Sequence, residues 1–157
     1  KEKVMPNWTR NELEIQFHNV SGDTKERKKS VKDFLKKVTT LEKYPDGTKR
    51  QILDFNKIVP PPKNMFRGNL SEEDRIRCEK KGIPNWYDWC NENWNTKWNS
   101  CSCDIEVDEE YYELITISFN TAWSPPIPVI NKLKQMFPDL YISGNYVGEG
   151  NEFAGVF

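Results

Sequence analysis

From Glu12 to Asn19 apolar and polar side chains alternate, with Leu13, Ile15 and Phe17 on one side and Glu14, Gln16 and His18 on the other. That period of two predicts a half-buried strand. Beyond a turn at Ser21-Gly22-Asp23 the period lengthens, and Val31, Phe34, Leu35 and Val38 recur at i, i+3, i+4 and i+7. Asp23 with Glu26 supplies a capping box, so a first helix is expected there. Neither period holds from Thr39 to Leu70, which carries YPDGTKR, a short apolar stretch around Ile52, Leu53, Phe55 and Ile58, and VPPPKNMF. This segment reads as an insertion whose proline run lies across the surface rather than serving as an SH3-type ligand. Ser71 with Asp74 opens a helix through Lys81 that Gly82 stops.

Gly82 to Trp98 holds four of the six tryptophans. Asn85 is placed to cap a helix with Asp88 three residues on, and Trp86, Trp89, Cys90 and Trp94 then share one side, opposite Asp88, Asn91, Glu92 and Asn95. The period of two returns with Cys101, Cys103, Ile105 and Val107 against Ser102, Asp104, Glu106 and Asp108. After an acidic turn, Ile115, Ile117, Phe119, Thr121 and Trp123 are expected on one face, which makes an antiparallel hairpin. Ser124-Pro125-Pro126 opens a helix striped by Val129, Ile130, Leu133, Met136 and Phe137 and ended by Pro138. The closing Leu140–Tyr146 and Glu152–Phe157 read as strand around a glycine-rich bend.

The order strand, helix, inserted helices, hairpin, helix, strand is a split βαβ pattern with an elaborated first crossover. It predicts an α+β fold: a ferredoxin-like antiparallel sheet with helices on one face and an inserted helical subregion at about 39–99, in a single domain over residues 1–157. The helices should cover Leu13, Ile15, Phe17, Ile105, Val107, Ile115 and Ile117. The opposite face, with Glu14, Gln16, His18, Asp104, Glu106, Thr116 and Ser118, should stay open, polar and acidic unless the insertion covers it.

Composition narrows the class. Hydrophobic residues are 36 % and charged ones 30 %, a polar balance offset by 13 % aromatics, so a soluble protein is expected. No apolar run reaches membrane-span length, and KEKVMPNW lacks the apolar core of a signal peptide, which points to a cytoplasmic setting. Lys1–Val4 reads as sequence preceding a native start at Met5. The net charge of −1 conceals an asymmetry: residues 1–70 carry 16 Lys and Arg against 9 Asp and Glu, and residues 71–157 carry 7 against 15. Such a map suits steering of a charged partner or complementary surfaces within one domain. Cys78, Cys90, Cys101 and Cys103 lack zinc-type spacing and are expected as reduced, mostly buried thiols.

Reactive constellations are not visible. His18 is the single histidine, placed on a polar strand face, and is read as an ordinary exposed side chain. Asp104, Glu106 and Asp108 lie in a row without the curved loop that gathers oxygens around a cation. No phosphate-binding glycine motif occurs. Catalytic residues, metal and cofactors are therefore all expected to be none, and a non-enzymatic interaction protein is favoured. The tryptophan stripe is either a core wedge or the wall of a recognition surface. Contact candidates are Trp86, Tyr87, Trp89, Trp94, Lys97 and Trp98, with Asp108, Glu109 and Glu110 of the acidic hairpin. The alternative is a nucleic-acid or nucleotide binder using the basic side of the first helix, Lys25, Arg27, Lys28, Lys29, Lys32, Lys36 and Lys37, and the stacking surface of the same tryptophans.

Five stretches carry a resemblance: MPNWTRNELEI from Met5, DFNKIVPPP from Asp54, GIPNWYDWCNENWNTKWN from Gly82, FNTAWSPPIPVINKLKQMFPDL from Phe119 and EGNEFAGVF from Glu149. With these the chain resembles the YubB-type ferredoxin-like family of phage and plasmid proteins, a domain of unknown function. The resemblance implies a ferredoxin-like sheet with an inserted helical subregion, encoded by a mobile element and acting in a bacterial cell. It transfers no catalytic residue. Small phage proteins often oppose host defence, so by analogy the expected partner is a host bacterial protein and the expected role is inhibition of a defence system such as a CRISPR nuclease, with sequestration of a nucleic acid or signalling nucleotide as the alternative.

Overall fold

The computed structural model describes residues 7–20 and 22–157. Met5 and Pro6 of the first motif, the reading of Lys1–Val4 and Ser21 of the first turn lie outside the described residues. The main sheet has five strands in the order β4-β5-β1-β6-β7, where β1 is Trp8–Gln16, β4 Cys101–Val107, β5 Leu114–Ala122, β6 Tyr141–Gly148 and β7 Ala154–Val156. All neighbours are antiparallel. Helix α5, Ile127–Met136, joins β5 to β6 across β1, and the segment containing α1, Thr24–Val38, leads from β1 to β4 across β5. Two interleaved split βαβ units result, which is the ferredoxin-like arrangement.

The core lies where the alternation placed it. Leu13, Ile15, Phe17, Ile115 and Ile117 are fully buried beneath Val31, Phe34 and Val38 of α1 and Val129, Ile130 and Leu133 of α5. Each such side chain contributes about 1.5–3 kcal/mol by leaving water. Ile105 and Val107 are only half-buried because β4 lies at one side of this sheet. The caps also form as expected: the Asp23 carboxylate accepts from the Glu26 amide at 3.0 Å, and Ser71 Oγ accepts from the Asp74 amide at 3.1 Å. Gly82 ends α3, Glu72–Lys81, with φ 63°, a left-handed conformation that costs glycine little.

Three expectations need correction. The first strand runs Trp8–Gln16, not Glu12–Asn19, because Phe17 and Val20 close a turn (Val20 N to Phe17 O, 2.9 Å), so His18 is exposed in that turn. The insertion is not purely helical: Thr39–Lys43 (β2) and Lys49–Leu53 (β3) form a hairpin ahead of one helical turn, α2, Phe55–Ile58. The Asp46-Gly47 pair makes its turn, with Asp46 accepting from the Thr48 amide at 2.9 Å and Gly47 at φ 86°. Finally, Trp123 does not continue the inward row of β5. The strand ends at Ala122, Trp123 takes φ 70°, and its side chain is 51 % exposed.

Candidate interaction surface

The tryptophan helix, α4, runs Trp86–Trp94 with Asn85 as its cap, Asn85 Oδ1 accepting from the Asp88 amide at 3.0 Å. Its stripe is mainly a wedge into the core. Trp94 is 4 % exposed, donates Nε1–H to the Val59 carbonyl at 2.9 Å and packs edge-on against Phe55 and Trp89, both at 5.6 Å. That burial removes Trp94 from any contact surface. Trp89 is half-buried against the same core, and Trp86 is half-buried with Nε1–H bonded to the Gly68 carbonyl at 3.0 Å. A buried indole needs both a large apolar enclosure and an acceptor, and this packing provides both for Trp94 and an acceptor for Trp86.

The remaining candidates separate. Tyr87 is exposed at the start of α4, with the Arg75 guanidinium 5.4 Å from its ring centre. Trp98 lies beyond the end of α4, 38 % exposed, 6.2 Å from Trp8 and covered on one side by Lys97 Nζ at 4.2 Å. Asp108, Glu109 and Glu110 sit at the far end of β4. Seven residues of strand separate Cys101 from Asp108, about 23 Å at the usual rise, so the acidic tip and the Trp98 end form no common patch. Asp108 is also committed locally, accepting from the amides of Glu110, Tyr111 and Glu113 at 3.1–3.3 Å. Desolvation, the largest single influence, pushes its carboxyl up, but the three amides and the Arg27 charge together outweigh it and hold the group below its ordinary value.

The sequence-level candidates omitted the best-built surface, the outward face of the main sheet. Arg10, Glu12, Glu14, Asp104 and Glu106 are all exposed on it, while Ala122 at its end is buried. The strand register fixes their arrangement. Glu12 and Asp104 both stand opposite Ser118, and Glu14 and Glu106 both stand opposite Thr116. The carboxylates therefore form two rungs about 7 Å apart along the strands, each rung about 10 Å across the β5 hydroxyls. One step further, Arg10 pairs with Asn120, and at the end Trp8 pairs with Ala122. A hollow of about 330 Å³ opens beside these rungs, lined by Arg10, Glu12, Ser102, Ser118, Asn120 and Asn145 among others. Arg75–Asp88 and Arg77–Asp74, the ion pairs among the described residues, lie on α3 and α4 and neutralise none of the four carboxylates.

Two other regions compare poorly. A larger hollow, about 610 Å³, lies between the middle of α1 and the end of α5, but its Phe17, Phe34 and Phe137 wall is a packed aromatic cluster at the margin of the core. The basic side of α1 is exposed at Lys25, Lys28, Lys29, Lys32, Lys36 and Lys37, while Arg27 is tied to the Tyr111 carbonyl at 2.9 Å. Burial raises the thiols of Cys90, to about 11, and of Cys101 and Cys103. Among the described residues no three His, Cys, Asp or Glu side chains are grouped to hold a metal, and no helix is long and apolar enough to cross a membrane.

Comparison with known proteins agrees with this architecture. No curated protein and no solved structure matches the chain. Residues 93–157, which span β4, β5, α5, β6 and β7 but not β1 or α1, match the family model of the ferredoxin-like domain in Api92-like protein. The chain is thus an α+β protein whose 93–157 segment is similar to that ferredoxin-like family, with its central strand and first helix supplied from outside the matched stretch.

Proposed function

We propose that this chain is a non-enzymatic binding protein of the YubB type, encoded by a phage or plasmid, that captures a basic surface of a bacterial host factor with the outward face of its sheet. A nuclease of a host defence system is the partner class that fits best, because nucleic-acid channels are lined with Lys and Arg and an acidic sheet face competes for them. The observation that carries the reading is the uncovered pair of carboxylate rungs, Glu12 with Asp104 and Glu14 with Glu106, set on rigid strands rather than on loops. Trp98 and Trp8 add an aromatic border, the kind of anchor that gives an interface its affinity. In this reading the protein works inside the host cell, without cofactor or metal.

Capture from a bacterial lysate tests it. The wild-type chain should retain a host protein that the Glu12→Gln, Glu14→Gln, Asp104→Asn, Glu106→Gln variant does not. Equal retention by both would remove the sheet face from the function. A second reading, nucleic-acid or nucleotide sequestration, is favoured by the exposed lysines of α1. It predicts co-eluting nucleic acid or nucleotide, lost when Lys28, Lys29, Lys32 and Lys36 become Ser and weakening steeply with salt.

A further inference from the structure

The register of the outward face specifies more than a charge sign. Along β5 the outward positions Thr116, Ser118 and Asn120 make a floor with a repeat of about 7 Å, which ends at the buried Ala122. The first two floor positions lie between carboxylates and the third beside Arg10, and the end is bordered by Trp8, whose neighbour Trp98 already accepts the Lys97 ammonium over its ring. An extended peptide repeats its same-side residues at the same 7 Å, so it can match the floor rung for rung.

From this we propose, resting on the sheet-face reading above, that the face binds an extended segment carrying arginines at alternate positions, Arg-x-Arg, followed by an uncharged or acidic residue over Arg10 and an apolar or cationic residue at Trp8 and Trp98. A guanidinium over Ser118 reaches toward Glu12 and Asp104, and the next, over Thr116, toward Glu14 and Glu106. The planar fork of arginine suits paired carboxylates better than an ammonium does. At the far end the indoles accept a cation or an apolar side chain. A nucleic acid fits badly, since its phosphates would lie along four carboxylates with Arg10 as the single outward cation of these strands.

Fluorescence anisotropy with labelled nonapeptides decides this. A peptide with arginines at positions 3 and 5 should bind at least tenfold more tightly than one of identical composition with the arginines adjacent, and more tightly than its lysine counterpart. Glu12→Gln with Asp104→Asn should abolish that preference while melting stays unchanged, and Trp98→Ala should weaken binding severalfold. Equal affinity of the alternating and adjacent peptides, preference for lysine, or tighter binding of a single-stranded oligonucleotide would overturn the inference. Should the lysate partner be retained in a carboxylate-dependent way while every peptide fails, this inference falls and the sheet-face reading stands. A partner retained independently of the carboxylates sinks both.

Discussion

Trp94→Ala is the sharpest check on the claim that the tryptophan helix is a wedge and not a contact surface. The substitution removes an indole that is 4 % exposed, its edge contacts to Phe55 and Trp89, and the Nε1–H bond to the Val59 carbonyl. Large-to-small changes at buried tryptophan cost about 3–5 kcal/mol, and the Val59 carbonyl left without its donor keeps the value in the upper part of that range. Against a typical total of about 5–15 kcal/mol this is a large fraction. For a chain of this length the melting point should fall by roughly 8–20 °C. Urea unfolding followed by near-ultraviolet circular dichroism reads the change directly, with Trp98→Ala as the control, since that half-exposed ring should cost under about 1.5 kcal/mol. A loss below about 1 kcal/mol for Trp94→Ala would refute the wedge.

Further outcomes follow from single features. Because the folded carboxyl of Asp108 is held below its unfolded value, its stabilisation is present above the unfolded value, near pH 4, and is lost as pH falls through the folded one. Asp108→Asn should therefore flatten the acid limb of a stability–pH profile, and an unchanged limb would contradict the amide bonds assigned to it. Gly144→Ala should destabilise by at least about 2 kcal/mol, because an added Cβ would lie 2.2 Å from the Glu12 carbonyl oxygen of the neighbouring strand. Cys90, its thiol pushed up to about 11 by burial, should resist a thiol reagent at pH 8 until denaturant is added.

Much of the fold was legible because its signals are local. The caps at Asp23, Ser71 and Asn85, the stop at Gly82 and the alternation through Ile105 and Ile117 each depend on side chains within a few residues of one another. The β2–β3 hairpin was missed although Asp46-Gly47 is a hairpin turn signal: Leu41 and most of its neighbours are exposed, so no apolar alternation marks the strands. The site was less legible. A cluster of tryptophans in sequence suggested a contact patch, but helical spacing directed Trp94 inward and left Tyr87 and Trp98 apart. The carboxylate rungs join β1 to the β4–β5 hairpin, with Glu12 and Asp104 more than ninety residues apart in the chain, and their alignment depends on a register that no local pattern states. The open acidic face itself was foreseen, from the two amphipathic helices that have a single sheet face to cover.

Carbodiimide-mediated carboxylate labelling of the protein bound to its captured host factor tests the central claim most directly. Glu12, Glu14, Asp104 and Glu106 should lose labelling in the complex while Glu72 and Glu73 of α3 keep theirs. Unchanged labelling of the four sheet carboxylates, with protection found elsewhere, would contradict the account.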